Sequence, residues 1–332
     1  MQTVRWGILG AANFAREFMA PAIHAAKGAE LVALATSDPA KAAEFQAFCP
    51  GLHLHASYDA LLADPAIDAV YVPLPNHLHL EWTLRALAAG KHVLTEKPIG
   101  MTVSEIDQII AVRDRTGLLA AEAYMIVHHP QWIRAREWLA AGEIGTLRHV
   151  DAAFSYNLTD MGNIRARPET GGGGLRDIGV YTFGSMRFVT GAEPATLSAQ
   201  IRLEHGVDVF AQVNGMMEGP QDGHAGRFTY GSMTAINMYN RQVVTFQGDK
   251  GMIRVEGGPF NANVNDMAKA ELHRGGNGVL TERWPAANHY VLQVEAFGRS
   301  VRDNVPYPCP LEFVRGTQAM IDRAFAVAAV IG

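Results

Sequence analysis

Apolar residues in the first third of the chain come in short runs, at 4–9, 31–35, 68–72, 92–95 and 118–123. Between them lie stretches with helical spacing, at 39–48, 58–62, 77–89 and 103–116. Short strands each followed by a helix predict a parallel, doubly wound sheet, with a ligand crevice at the carboxyl ends of its strands. After Ala123 the rhythm changes. A helix is expected over 131–141 and an alternating strand over 147–156; further strands are expected at 195–203, 207–216, 227–238, 242–246 and 252–256. Two helices, 290–301 and 311–330, close the chain. The predicted fold class is therefore α/β. A Rossmann dinucleotide-binding domain spans 1–123, and an α+β domain with a large, mostly antiparallel, open-faced sheet spans 124–332. The free face of that sheet must be solvated or covered by a second copy. Its apolar strands favour a homodimer or homotetramer through the sheet.

Composition narrows the partners. A chain of 332 residues exceeds what one core usually holds, so two domains are expected. Its net charge of -5 argues against a nucleic-acid or anionic-membrane partner. No apolar run is long enough to span a bilayer, and the chain enters its first strand with no export-type segment. Cys49 and Cys309 have no metal-type pairing, which suits a reducing compartment. The expectation is a cytoplasmic protein acting on a small molecule.

Candidate chemistry concentrates at the strand ends. The first strand runs into Gly10-Ala11-Ala12-Asn13-Phe14-Ala15, a G-x-A-x-x-A variant of the dinucleotide fingerprint. Small residues there allow a tight turn and close approach of backbone to a pyrophosphate, at a helix N-terminus that favours anions. At the end of the second strand NAD enzymes usually place an acid. Here stand Thr36 and Ser37, with Asp38 just beyond and Lys41 one turn into the helix. Hydroxyls and a lysine can cradle a 2′-phosphate, so NADP is favoured and NAD remains possible; on the plainer alternative Asp38 is a helix cap and Lys41 a solvated residue. Pro73, Leu74, Asn76 and His79 line the next strand end, and Glu96-Lys97-Pro98 the one after. Lys97 thus sits where open α/β sheets bind their ligands, and Pro98 fixes the strand's exit. His53 and His55, at i,i+2 spacing, would share a face if they lay on a strand, but no converging third ligand is visible, so no metal is expected.

In the second half, the run Gly171-Gly172-Gly173-Gly174 cannot be a regular element. The helix after it places Asp177 and Tyr181 on one face, four residues apart, where a carboxylate and a phenol can meet one small polar substrate.

These elements together resemble the family of glucose–fructose oxidoreductase, inositol dehydrogenase and the MocA rhizopine-catabolism protein, over essentially the whole chain. The resemblance rests on Gly7-Ile8-Leu9-Gly10, Pro73-x-Pro75-Asn76-x-x-His79, Glu96-Lys97-Pro98 and Gly172-Gly173-Gly174-x-x-Asp177-Ile178-Gly179-x-Tyr181. Tyrosine at 181 is similar to the glucose–fructose oxidoreductase and dimeric dihydrodiol dehydrogenase branch, which mostly uses NADP. Arg176, where family members more often have an apolar residue, bears on the substrate's size and charge.

The resemblance implies an NADP-dependent oxidoreductase acting on a carbohydrate or polyol. Lys97, Asp177 and Tyr181 would be its catalytic residues. The cofactor would be held by Gly10, Ala11, Ala12, Asn13, Phe14, Thr36, Ser37, Lys41, Pro73, Leu74, Asn76, His79, Glu96 and Lys97. Substrate would meet Tyr124, Asn163, Arg165 and Arg176. It also implies a cis bond between Lys97 and Pro98. A trans-dihydrodiol dehydrogenase-like enzyme and a non-catalytic nucleotide-binding sugar sensor are the alternatives. A sensor would be expected to have lost the lysine or its partners, and Lys97, Asp177 and Tyr181 are all present.

Overall fold

A computed structural model describes residues 3–220, 225–262, 268–285 and 287–331. The chain divides into two compact units: Met1–Met125 with Asn288–Arg315, and Ile126–Ala287 with Gly316–Gly332.

The first unit carries strands β1 (Val4–Leu9), β2 (Ala29–Ala35), β3 (His53–His55), β4 (Ala69–Val72), β5 (His92–Thr95) and β6 (Ala120–Glu122). Among the described residues they form one sheet in the order β3-β2-β1-β4-β5-β6, every pairing parallel. Helices α1 (Ala20–Ala25), α2 (Pro39–Gln46), α3 (Tyr58–Leu62), α4 (His79–Ala88) and α5 (Val103–Thr116) lie between the strands. Local chemistry sets their ends. The Thr102 hydroxyl accepts from Glu105 N at the start of α5, and Gly117, at φ 67°, closes it in the left-handed region. Neighbouring β1 and β4 are the strands from which the order runs in opposite directions, so their carboxyl ends open the crevice in which such sheets bind ligands.

The second unit begins with α6 (Pro130–Ala140) and β7 (Leu147–Asn157), continues through α7 (Val180–Thr190), and then runs through β8 (Glu193–Glu204), β9 (Val207–Glu218), β10 (Arg227–Ala235), β11 (Asn237–Gly248), β12 (Gly251–Glu256), β13 (Lys269–Arg274) and β14 (Gly278–Arg283). After β14 come α8 (His289–Asp303), α9 (Leu311–Val327) and β15 (Ala329–Val330). The nine described strands are ordered β14-β13-β12-β11-β7-β10-β9-β8-β15. The sheet is mostly antiparallel, with parallel pairings of β10 on β7 and β15 on β8.

Three expectations need correction, and two strands were not predicted. The segment Asn288–Arg315, expected in the second domain, belongs to the first unit, where Phe297 of α8 packs on the buried Trp6 of β1 at 4.8 Å between ring centroids. A single strand over 227–238 is instead two, β10 and β11, broken at Ile236. Helix α9 stops at Val327, and the chain pairs Ala329 and Val330 with β8. The unpredicted strands are β13 and β14; in β13 the charges of Lys269, Glu271 and Arg274 conceal the alternation. Only Ala270 and Leu272 of β13 point inward, while Lys269 on the other face bridges Glu256 and Glu271 at 2.7 and 2.9 Å.

Candidate functional site

At the head of the first unit's crevice, Gly10 adopts φ 104° and donates its N–H to Ala35 O at 2.9 Å. A Cβ there would come 3.0 Å from Leu74 Cδ2 and 3.1 Å from the Tyr58 hydroxyl, so only glycine makes this turn. Ala11, Ala12, Asn13 and Phe14 follow, all at least partly exposed, and the helix then opens with a π-helical stretch, Ala15–Met19. Such stretches are rare and recur at functional sites. The Phe14 ring packs on Phe18 and Tyr290, at 5.1 and 5.7 Å. A tight turn of small residues entering a helix suits a pyrophosphate.

At the end of β2 the neighbours sort themselves. Asp38 Oδ1 accepts from Ala40 N and Lys41 N at 3.0 and 3.3 Å, while its own N–H donates to Thr36 Oγ1. Asp38 is therefore the cap of α2. Ser37 and Lys41 stay exposed, and Thr36 is half-buried.

The ends of β4 and β5 are locked to each other. Pro73 and Leu74 are buried. His79 is fully buried, with ring nitrogens 2.7 Å from Pro98 O and 2.6 Å from Leu74 O. His79 was expected at the cofactor; in the structure its imidazole braces the two strand ends. Glu96 accepts from the Tyr71 hydroxyl at 2.6 Å, and the bond between Lys97 and Pro98 is cis. Asn76 opens a short 3-10 turn ahead of α4. Sequence reasoning missed Glu122, the last residue of β6. Its carboxylate is buried, accepts from Ile99 N at 2.9 Å, and is pushed up to about 7 by burial, against the opposing pull of that N–H and of Lys97. Tyr124 is also buried, its ring 6.4 Å from that of Phe313.

In the second unit the glycine run is shaped by Asp208. Gly173 sits at φ 109°, and a Cβ on it would collide with Asp208 Oδ1. Asp208 Oδ2 accepts from Leu175 N at 2.7 Å, at the start of a second π-helical stretch, Leu175–Gly179. Burial pushes the Asp208 carboxyl up to about 7. Asp177 lies in this stretch, and its Oδ2 accepts from the Tyr156 hydroxyl at 2.7 Å and from Arg165 Nε at 2.9 Å. Burial and the Asp177 charge both raise the Tyr156 phenol, so it stays neutral and donates. Neither Tyr156 nor Asp208 was legible as a site residue, because each enters from a strand remote in sequence.

Tyr181, in the first turn of α7, is held by rings. Its centroid is 5.7 Å from that of Phe154 and 5.4 Å from that of Phe260. Phe260 in turn stacks on Trp132 at 5.7 Å, and Pro259 O just before it accepts from Gln131 Nε2 and Trp132 Nε1. Two of the expected substrate residues, Asn163 and Arg176, have partners within the second unit. Asn163 Oδ1 accepts from Arg165 N and so sets the turn that presents Arg165. The Arg176 guanidinium lies 5.1 Å over the Phe325 ring, and its buried Nε has no hydrogen-bond partner among the described residues.

Fold and site define the class: a dinucleotide-binding oxidoreductase with a separate α+β unit. An oxidoreductase family with an NAD-binding Rossmann fold matches residues 4–124, and the GFO/IDH/MocA C-terminal domain matches residues 132–254. The chain belongs to the Gfo/Idh/MocA oxidoreductase family. It is 37% identical to an uncharacterized oxidoreductase of Rhizobium meliloti, over 97% of this chain and 96% of that protein. It is 36% identical to a dTDP-3,4-didehydro-2,6-dideoxy-alpha-D-glucose 3-reductase of Saccharopolyspora spinosa, over 98% and 96%. Among solved structures, a 3-ketoreductase from Actinomadura kijaniata in complex with NADP and TDP-benzene is similar with a TM-score of 0.87 and 28% identity, covering 99% of both chains. That enzyme was also solved with a lysine replaced by alanine and with a tyrosine replaced by phenylalanine. Those two positions are as far apart in its sequence as Lys97 and Tyr181 are here.

Proposed function

We propose that this chain is an NADP-dependent sugar oxidoreductase that interconverts a ketone and a secondary hydroxyl, with nucleotide-activated keto-sugars as the first substrates to test. The observation that carries the reading is Asp177, held by Tyr156 and Arg165 one turn before Tyr181. The nicotinamide would supply or accept a hydride. Reduction of a carbonyl leaves an alkoxide that needs a proton and a nearby positive charge. Tyr181 donates the proton, Lys97 supplies the charge, and Asp177 orients the substrate while Arg165 fixes its carboxylate. The Gly10 turn with Ala11, Ala12, Asn13 and Phe14 receives the pyrophosphate, and Thr36, Ser37 and Lys41 receive the 2′-phosphate. Glu96 holds the strand end from which Lys97 projects.

The test is a turnover screen of dTDP-activated 3-keto-deoxysugars, free sugars and diols against NADPH and NADH. Turnover of a keto-sugar with NADPH supports the reading, and turnover of diols alone overturns it. For the cofactor, Lys41→Ala is expected to weaken NADP binding by about 2 kcal/mol, the loss of a charged hydrogen-bond partner, and to leave NAD binding nearly unchanged. Paired fluorescence titrations check this, and equal losses for the two cofactors would make Lys41 a bystander.

A further inference from the structure

We propose that His53, His55 and Asp64 form a binding site for one divalent ion of the zinc class (Zn2+, Co2+ or Ni2+) on the first unit, independent of the redox reading. The two histidines are alternate residues of β3, so they project from one face of the sheet's edge strand. Asp64 arrives from beyond α3, which is why no third ligand could be read beside the histidines in sequence. One donor atom from each of the three side chains lies within 4.8 Å of the other two. The His53 and His55 rings stand edge to face with centroids 4.6 Å apart.

His55 argues against a plain surface cluster. Its side chain is only 10% exposed, and Nε2 is buried without a hydrogen-bond partner. That nitrogen nevertheless lies 3.2 Å from Asp64 Oδ2, close but not aligned for a hydrogen bond. A buried ring nitrogen facing a carboxylate oxygen with no proton well placed between them leaves room for a cation. Bonds of about 2.1 Å to a tetrahedral ion hold ligand atoms about 3.4 Å apart, so His55 and Asp64 already have the needed separation. His53 is exposed and closes the remaining gap by rotating its side chain.

The other carboxylate oxygen, Asp64 Oδ1, accepts from Ala66 N at 2.7 Å, which orients Oδ2 toward His55. Two imidazoles and one carboxylate suit borderline ions better than Mg2+ or Ca2+, and they leave coordination positions for water. The bound ion would clip β3 to the segment after α3. His55 O accepts from Thr36 N at 3.1 Å, so the clip would also steady the end of β2.

The experiment titrates the EDTA-stripped full chain with Co2+, reading the visible ligand-field absorption and the melting temperature. One equivalent is expected to bind, with a rise in melting temperature. His53→Gln and His55→Gln are each expected to weaken binding by about tenfold or more, a loss of at least about 1.4 kcal/mol. Asp64→Asn, whose amide oxygen can still accept from Ala66 N, is expected to weaken it as well. In EDTA the exposed His53→Gln variant should melt with wild type, so a lost signal reports the ligand and not the fold. Wild-type binding and spectrum retained in the doubly substituted His53→Gln, His55→Gln chain would overturn the proposal. So would the absence of any Co2+ or Zn2+ binding to wild type.

Discussion

Replacing Tyr181 with phenylalanine is expected to cut kcat by about 10²–10⁴, the usual range for losing a general acid–base, with NADPH affinity retained. The substitution removes one oxygen from a ring that Phe154 and Phe260 already hold, so the fold should be unaffected. Lys97→Met should be at least as damaging, because the developing alkoxide then loses its positive charge. Steady-state kinetics across pH, with NADPH binding measured separately, checks both. Full turnover by Tyr181→Phe across that range would assign the proton to another group, and with His79 sealed behind the strand ends a bound water becomes the next candidate.

The second large effect is on stability. In the folded chain Glu122 is pushed up to about 7 by burial, from an ordinary 4.5. Between those values the folded state holds a proton that the unfolded state has released. Folding stability therefore falls as pH rises from about 4.5 to about 7 and stays at the lower level above that. The shift is 7 − 4.5 = 2.5 units, which at 1.36 kcal/mol per unit comes to about 3 kcal/mol. Glu122→Gln keeps an acceptor for Ile99 N and removes the ionisation. It should thus match wild type near pH 4.5 and be more stable by up to about 3 kcal/mol at pH 8. Denaturant unfolding at the two pH values decides it, and an equal offset at both would show that the carboxyl titrates normally.

Much of the first unit was legible because its strands are buried and uninterrupted. The runs at 68–72 and 92–95 became β4 and β5, and the Gly10 turn and the Lys97–Pro98 exit lie at strand ends. Local chemistry was legible in the same way: the alternative reading of Asp38 as a cap is what its oxygen does. What escaped depends on chain segments brought together from far apart. Tyr156 and Asp208 reach the helix of Asp177 from two different strands, and nothing in their own neighbourhoods marks them. β13 escaped for another reason: its ion pairs conceal an alternation in which only Ala270 and Leu272 are apolar and inward. The place of His79 beside the strand ends was legible, but its bonds to Pro98 O and Leu74 O were not, because a residue's number does not tell which way its ring turns.

The return of the chain to the first unit bears on how the protein is made. Trp6 leaves the ribosome before the second unit, yet the Phe297 ring that packs on it follows only after the long segment Ile126–Ala287 of that unit has been synthesised. The early sheet can pair its strands as they appear, since β1 to β6 are consecutive. Its α8 side must wait, leaving apolar surface exposed for most of translation. A fragment ending at Met125 would keep that bare face for good. Such a fragment should be an aggregation-prone client of chaperones, whereas the segment Asn288–Arg315 supplied in trans has a ready-made place to dock.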